Sequence, residues 1–166
     1  MGEFKSISRE AVPQALKKAE RYRLLDEPAQ AESICWDVLA VEPQNQEALV
    51  MLLLSLTDQF GTGASECFHL AQAVVPKLNG EYQRLYYSGI IWERRGRARA
   101  IKGEPGSVKA AFASIRQAMD YFERAEELRP PADDDAILRW NSCVRLCERY
   151  HLHAEPEEVY EPVLGE

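Results

Sequence analysis

Four side chains towards the C-terminal end have the types found in zinc sites: Cys143-x3-Cys147-x3-His151-x-His153. On one helix, residues 143, 147 and 151 share a face at successive turns, and thiolate with imidazole is a usual zinc donor set. The reach is wrong, however. A straight helix separates Cys143 from His151 by about 12 Å at 1.5 Å per residue, too far for one ion unless His153 or another segment folds back. The sequence is therefore read as structural thiols and surface imidazoles with no metal or cofactor, and a metal-binding module on Cys143, Cys147, His151 and His153 is an alternative.

A second constellation is basic. Arg84, Arg94, Arg95, Arg97, Arg99 and Lys102 lie close together with Glu93 as the acid among them, beside Tyr82, Tyr86, Tyr87 and Trp92. Cations interleaved with aromatics bind phosphates and stack bases in single-strand nucleic-acid binders, so a nucleic-acid-binding helical array is the other alternative. The whole chain carries 27 acidic residues against 20 Lys and Arg, a net charge of −7 that repels polyanions and makes nucleic acid the less favoured partner. Asp133-Asp134-Asp135 precedes an apolar-periodic segment and reads as a helix cap. Gly61-Thr62-Gly63-Ala64-Ser65 lacks the endings of a phosphate loop and of a nucleophile elbow and reads as a turn. With His69 isolated, no acid, base and nucleophile set is present, and the chain is read as non-enzymatic.

The elements that carry these residues follow from punctuation. The 166 residues, 46% hydrophobic, suit one globular domain that needs no disulfide to hold a core. The densest apolar run, 48–56, is half the length of a membrane span, and charges at Arg9, Glu10, Lys17 and Lys18 interrupt any secretory signal, so no membrane partner and a cytoplasmic location are expected. Apolar residues recur at three- and four-residue spacing almost throughout, which predicts an all-α fold. Breakers at 26–28, 42–45, 61–63, 76–80, 103–106 and 129–133 divide it into about seven helices joined by short turns, with Ser65, Ser107 and 133–135 as expected caps.

One spacing then appears three times: Ala31-x3-Cys35-x2-Val38-x4-Pro43, Ala64-x3-Phe68-x2-Ala71-x4-Pro76 and Ala118-x3-Phe122-x2-Ala125-x4-Pro130. The first two copies are 33 residues apart and the third follows after 54, about one period plus an insertion. Leu85-x2-Ser88-Gly89-x2-Trp92 adds a first-helix signature of a small pair followed by an aromatic, which Ala19 and Tyr22 echo. In these features the chain resembles the tetratricopeptide repeat family, in a divergent form with Ala15 and Leu52 at unusual positions. The resemblance implies an α-solenoid of antiparallel helix hairpins over residues 1–153, with an extended third hairpin, a capping helix from about 133 to 151, and an acidic, extended tail over 154–166.

It also implies a function: a protein-interaction scaffold or adaptor that holds a partner peptide or helix in a concave, mostly apolar groove, a homodimer being one possibility. The groove positions carried over are Leu16, Glu20 and Arg23 from the first pair, Gln46, Leu49, Leu53 and Leu56 from the second, and Gln83, Tyr86, Ile90 and Glu93 from the third. The Lys, Arg and Asn clamp with which some members hold a partner's C-terminal carboxylate is missing from the matching positions. Arg94, Arg95, Arg97 and Arg99 are expected to meet an acidic partner, among the candidates Glu155, Glu157, Glu158 and Glu161 of the tail, in cis or from a second subunit.

Overall fold

The computed structural model describes residues 1–62 and 65–154 and is all-helical across them. Seven α-helices follow one another: α1 (Val12–Leu24), α2 (Pro28–Val41), α3 (Gln46–Thr57), α4 (Ser65–Val74), α5 (Glu81–Lys102), α6 (Ser107–Glu127) and α7 (Asp135–Tyr150), with short 3-10 turns at Arg9–Ala11, Phe60–Thr62 and Val75–Lys77. The expected tail beyond Ala154 lies outside the described residues, as does the Ser65 side chain.

Local chemistry explains the boundaries. Pro28 opens α2, where its missing N–H costs no hydrogen bond. Asn45 caps α3: its Oδ1 accepts from the Ala48 N–H at 2.9 Å while its Nδ2 donates to Glu42 at 2.8 Å, so one side chain locks the whole turn. The turn from α5 to α6 needs left-handed backbone at Gly103 (φ 63°) and Gly106 (φ 78°), which glycine adopts without a Cβ penalty. Gly106 is thus the cap of α6 and Ser107 its first helical residue, so the expected Ser107 cap is one position off. Before α7, Asp134 occupies the cap position, and the acceptor is Asp133 Oδ1, which takes the Asp135 N–H at 3.0 Å.

Each helix packs on the next in sequence, and α1 with α3, α3 with α5 and α5 with α7 also meet. The recurring residues are the buried ones. Ala31, Cys35, Val38, Phe68, Ala71, Ala118, Phe122 and Ala125 are all inside, while Ala64 is not among the described residues. Two main cores result. One gathers α1 to α4 around Leu49, Leu52, Leu53, Leu56 and Phe68; the other gathers α6 and α7 around Ile115, Phe122, Cys143 and Leu146. α5 stands between them, giving Ile91 to the first and its neighbour Ile90 to the second.

The extra residues of the third pair go into helix length, as expected: α5 has 22 residues and α6 has 21, against 10 to 14 in the four helices before them. That makes each about 32 Å long at 1.5 Å per residue. Two glycines let these helices approach closely. A Cβ on Gly89 would stand 2.5 Å from the Phe122 ring, and one on Gly96 would stand 2.6 Å from Ile115. Farther along, Arg99 Nη1 donates to Ala110 O at 3.2 Å and to Ser114 Oγ at 2.9 Å and ties the two together near the turn.

Phe122 is fully buried and cannot swing clear, so Gly89→Val forces α5 and α6 apart. Urea unfolding should show a loss of roughly 2 kcal/mol, the usual range for overpacking a tight contact. Unchanged stability would show that the two helices do not touch there.

Candidate functional site

α3 is enclosed by neighbours on nearly every side, with contacts to α1, α2, α4 and α5. Its buried hydroxyls bond back to its own carbonyls, Ser55 to Met51 O and Thr57 to Leu54 O, so that burial leaves neither unsatisfied. Within the helix, Gln46, Glu47, Val50, Met51 and Leu54 keep some exposure, and Asp58 extends the same line just beyond its end. These residues share one stripe at three- and four-residue intervals.

At one end of the stripe is a cleft of about 420 Å³, lined by Gln46, Glu47, Val50 and Met51 of α3, by Leu78 and Asn79 of the linker, and by Gln83 of α5. Gln46 shapes it: its Oε1 accepts from the Asn79 N–H at 2.8 Å and its Nε2 donates to Lys77 O at 3.2 Å, holding the linker against α3. At the other end charges converge. Asp58 accepts from Arg23 Nε of α1 at 2.7 Å and from Arg94 Nη1 of α5 at 3.3 Å, one carboxylate bridging three helix neighbourhoods. Beside it Glu93, only 3% exposed, pairs with Arg139 Nη1 of α7 at 3.4 Å. Tyr86 and Tyr87 lie between, ring centroids 5.1 Å apart and edge to face, with Tyr82 stacked on Tyr86.

Electrostatics follow from this arrangement. Burial raises the Glu93 carboxyl above its ordinary range, opposed by Arg139, Arg94 and Arg97. Burial lowers Arg94, which Asp58 and Glu93 resist. For Arg139 burial acts downward too, but Glu93 and the Tyr86 hydroxyl hold the guanidinium above its usual value.

The residues expected to line a groove are divided between interior and surface. Leu49, Leu53, Leu56 and Ile90 are sealed in the cores because α3 and α5 are flanked on both sides, and Leu16 of α1 is buried with Val12, Val38 and Ala48. Gln46 and Gln83 do line the cleft, Glu20 is exposed on α1, Tyr86 is half-buried, and Arg23 and Glu93 belong to the ion pairs. Val50, Met51, Leu54, Asp58 and Arg139 were not foreseen. A signal for Val50, Leu54 and Asp58 exists: with Gln46 they are four residues apart, a line with polar residues at both ends.

The basic residues do not form one stripe. Arg94 faces α3, whereas Arg95 lies 3.8 Å over the Phe68 ring of α4 and Arg99 bonds to α6. Arg84 donates to Leu78 O at 2.9 Å, Lys102 pairs with Glu104 at 3.0 Å, and Arg97 is exposed near Glu93. Arg84, Arg95, Arg99 and Lys102 share one side of α5 at helical spacing, while Arg94 and Arg97 turn away from it, so the six do not present a single basic face.

The Cys and His residues do not assemble either. Cys143 is fully buried, its thiol pushed up to about 12 by burial, while Cys147 is half-buried. His151 ends α7 with left-handed backbone (φ 52°), and His153 Nδ1 lies 3.0 Å from Ala154 O. Among the described residues no group of three or more His, Cys, Asp or Glu side chains is placed to hold a metal ion. None of the protein-family models, curated proteins or solved structures compared with this chain matches it.

Because folding raises the Glu93 pKa, the folded state holds that proton more tightly than the unfolded chain, and this group's contribution falls as pH climbs from the ordinary carboxylate range through the raised value. Arg139 opposes the rise. Arg139→Gln should therefore cost about 2 kcal/mol at pH 7.5, where a buried carboxylate loses its partner, and clearly less at pH 5, where Glu93 can protonate. Urea unfolding at the two pH values checks this; an equal loss at both would mean that Glu93 does not change its protonation between them.

Proposed function

We propose that this chain is a non-enzymatic interaction scaffold built of tetratricopeptide-like helical hairpins, and that a partner peptide or helix lies along the seam between α3 and α5. The observation that carries this reading is the open stripe on α3. A helix enclosed by four neighbours still leaves Val50 and Met51 beside a cleft wide enough for a side chain. The serial meeting of α1, α3, α5 and α7 supports the hairpin array, since in such an array the first helices stack in order and line one face. The recurring spacing supports it as well, because its described residues Ala31, Cys35, Val38, Phe68, Ala71, Ala118, Phe122 and Ala125 are buried.

Two features favour binding over catalysis. Arg23 and Arg94 with Asp58, and Arg139 with Glu93, are engaged in ion pairs that fix helices. The buried thiols of Cys35 and Cys143, pushed up to about 12, stay protonated at neutral pH and are poor nucleophiles. No helix among the described residues is long and apolar enough to cross a membrane, which agrees with a partner met in water, and a cytoplasmic scaffold is the setting proposed.

Met51→Glu is the test. The residue is half-buried at the rim of the cleft, so a carboxylate there reaches solvent, whereas Leu53→Glu would break the core. Quantitative copurification from native extract should lose its specific partner with Met51→Glu while the thermal midpoint stays within about 3 °C of the parent. An identical set of associated proteins for both forms would refute the seam as the binding surface.

A further inference from the structure

The seam is asymmetric in charge. Its cleft end is apolar with amide groups and one carboxylate, Glu47, around it, whereas at the other end four guanidiniums, those of Arg23, Arg94, Arg97 and Arg139, gather about Asp58 and Glu93. Asp135 acts on Tyr86 and Tyr87 beside Arg139 as a third carboxylate, so one positive charge is left over. Hydrogen bonding is unbalanced in the same sense: each guanidinium has five N–H donors, and the buried Arg94 Nε–H meets no acceptor among the described residues. Arg97 is exposed, and Arg23, Arg94 and Arg139 keep between a fifth and a third of their side-chain surface, so an anion can reach the cluster.

From this charge complementarity we infer that the partner is an extended acidic peptide: an apolar side chain seats in the cleft by Met51 and Gln83, and a glutamate or aspartate four to five residues away pairs with Arg97 and the spare donors of Arg23 and Arg94. The spacing comes from the helix. Gln83 and Arg94 are separated by about 16 Å along α5 at 1.5 Å per residue, which an extended chain covers in roughly five residues. Arginine suits the task because its planar fork pairs with carboxylates in two-pronged fashion. The inference rests on the scaffold reading and adds the chemistry of the partner to it.

Fluorescence anisotropy on the full chain tests it with four labelled synthetic peptides on a Gly–Ser background. Two carry a leucine and a pair of glutamates five positions apart, in either order, and their twins carry glutamines instead. At least one acidic peptide should bind, more weakly as salt rises from about 50 to 300 mM, and its glutamine twin should bind at least about tenfold less tightly. Arg97→Glu should weaken the acidic peptide by about tenfold or more and Arg97→Ala by less; the thermal midpoint of Arg97→Ala stays within about 3 °C of the parent, since Arg97 is exposed and its removal opens no core, while Arg97→Glu, which sets a like charge beside Glu93, lowers it modestly. Equal binding of acidic and glutamine peptides, indifference to Arg97→Glu, or no binding by any peptide overturns the inference. So does a dimer of this chain that Arg97→Glu dissociates, which would give the surface to a second copy. If partner capture still depends on Met51 while the peptides fail, the scaffold reading stands and the acidic ligand alone is lost.

Discussion

Asp58 is the point on which the seam turns. It sits just past the end of α3, and its two oxygens take different helices, Oδ2 receiving Arg23 of α1 and Oδ1 receiving Arg94 of α5. Apolar packing alone does not specify how far one helix slides along its neighbour, because Leu, Val and Ile faces fit in several registers. A carboxylate with two directional partners does specify it. Exposure of about a fifth to a quarter for the three side chains places the group where water screens it only in part, and where losing one partner leaves the others with unmet charge. Glu93 with Arg139 repeats the device between α5 and α7, deeper in the protein.

α5 is the element these constraints act on. It carries Arg94 and Glu93 on the seam, and it gives Ile91 to the core of the preceding helices and Ile90 to the core of the following ones. On its far side Gly89 and Gly96 bring α6 into contact with its backbone. One helix therefore couples two cores and a charged line, and a displacement of it would be felt at both ends of the chain. The same arrangement leaves the seam open as a surface. Helices pressed together from behind by small residues, and tied across the front by ion pairs, expose a line of side chains instead of burying it.

Much of this architecture was legible because its signals act locally. Pro28, Asn45, Gly80, Gly103 and Gly106 stop or start helices through the backbone of their own neighbours, so the seven segments could be read from one sequence. The recurring Ala and aromatic positions reported burial for a similar reason, since a helix face is a three- and four-residue pattern. The site was harder. Leu49 and Val50 differ by one residue, about 100° of rotation, and in 48–54 every position is apolar, so nothing in that run says which side faces out. Ion pairs lie further still from sequence reasoning: Arg23 and Asp58 are 35 residues apart, and Glu93 and Arg139 are 46 apart. The basic run in α5 read as one stripe because its residues are close in the chain, yet Arg94 and Arg97 lie on a different side of the helix from Arg95 and Arg99.

The account stands or falls on the seam being held across helices by Asp58. A double-mutant cycle of Asp58→Asn and Arg94→Gln, each variant measured by urea unfolding at low salt, addresses that directly, because it isolates the pair from whatever else each side chain does. A coupling energy of about 1 kcal/mol is predicted, the scale of a partly buried, charge-assisted hydrogen bond. Strictly additive losses would mean that α3 and α5 are not joined at this point, and the seam with its proposed occupant would have to be abandoned.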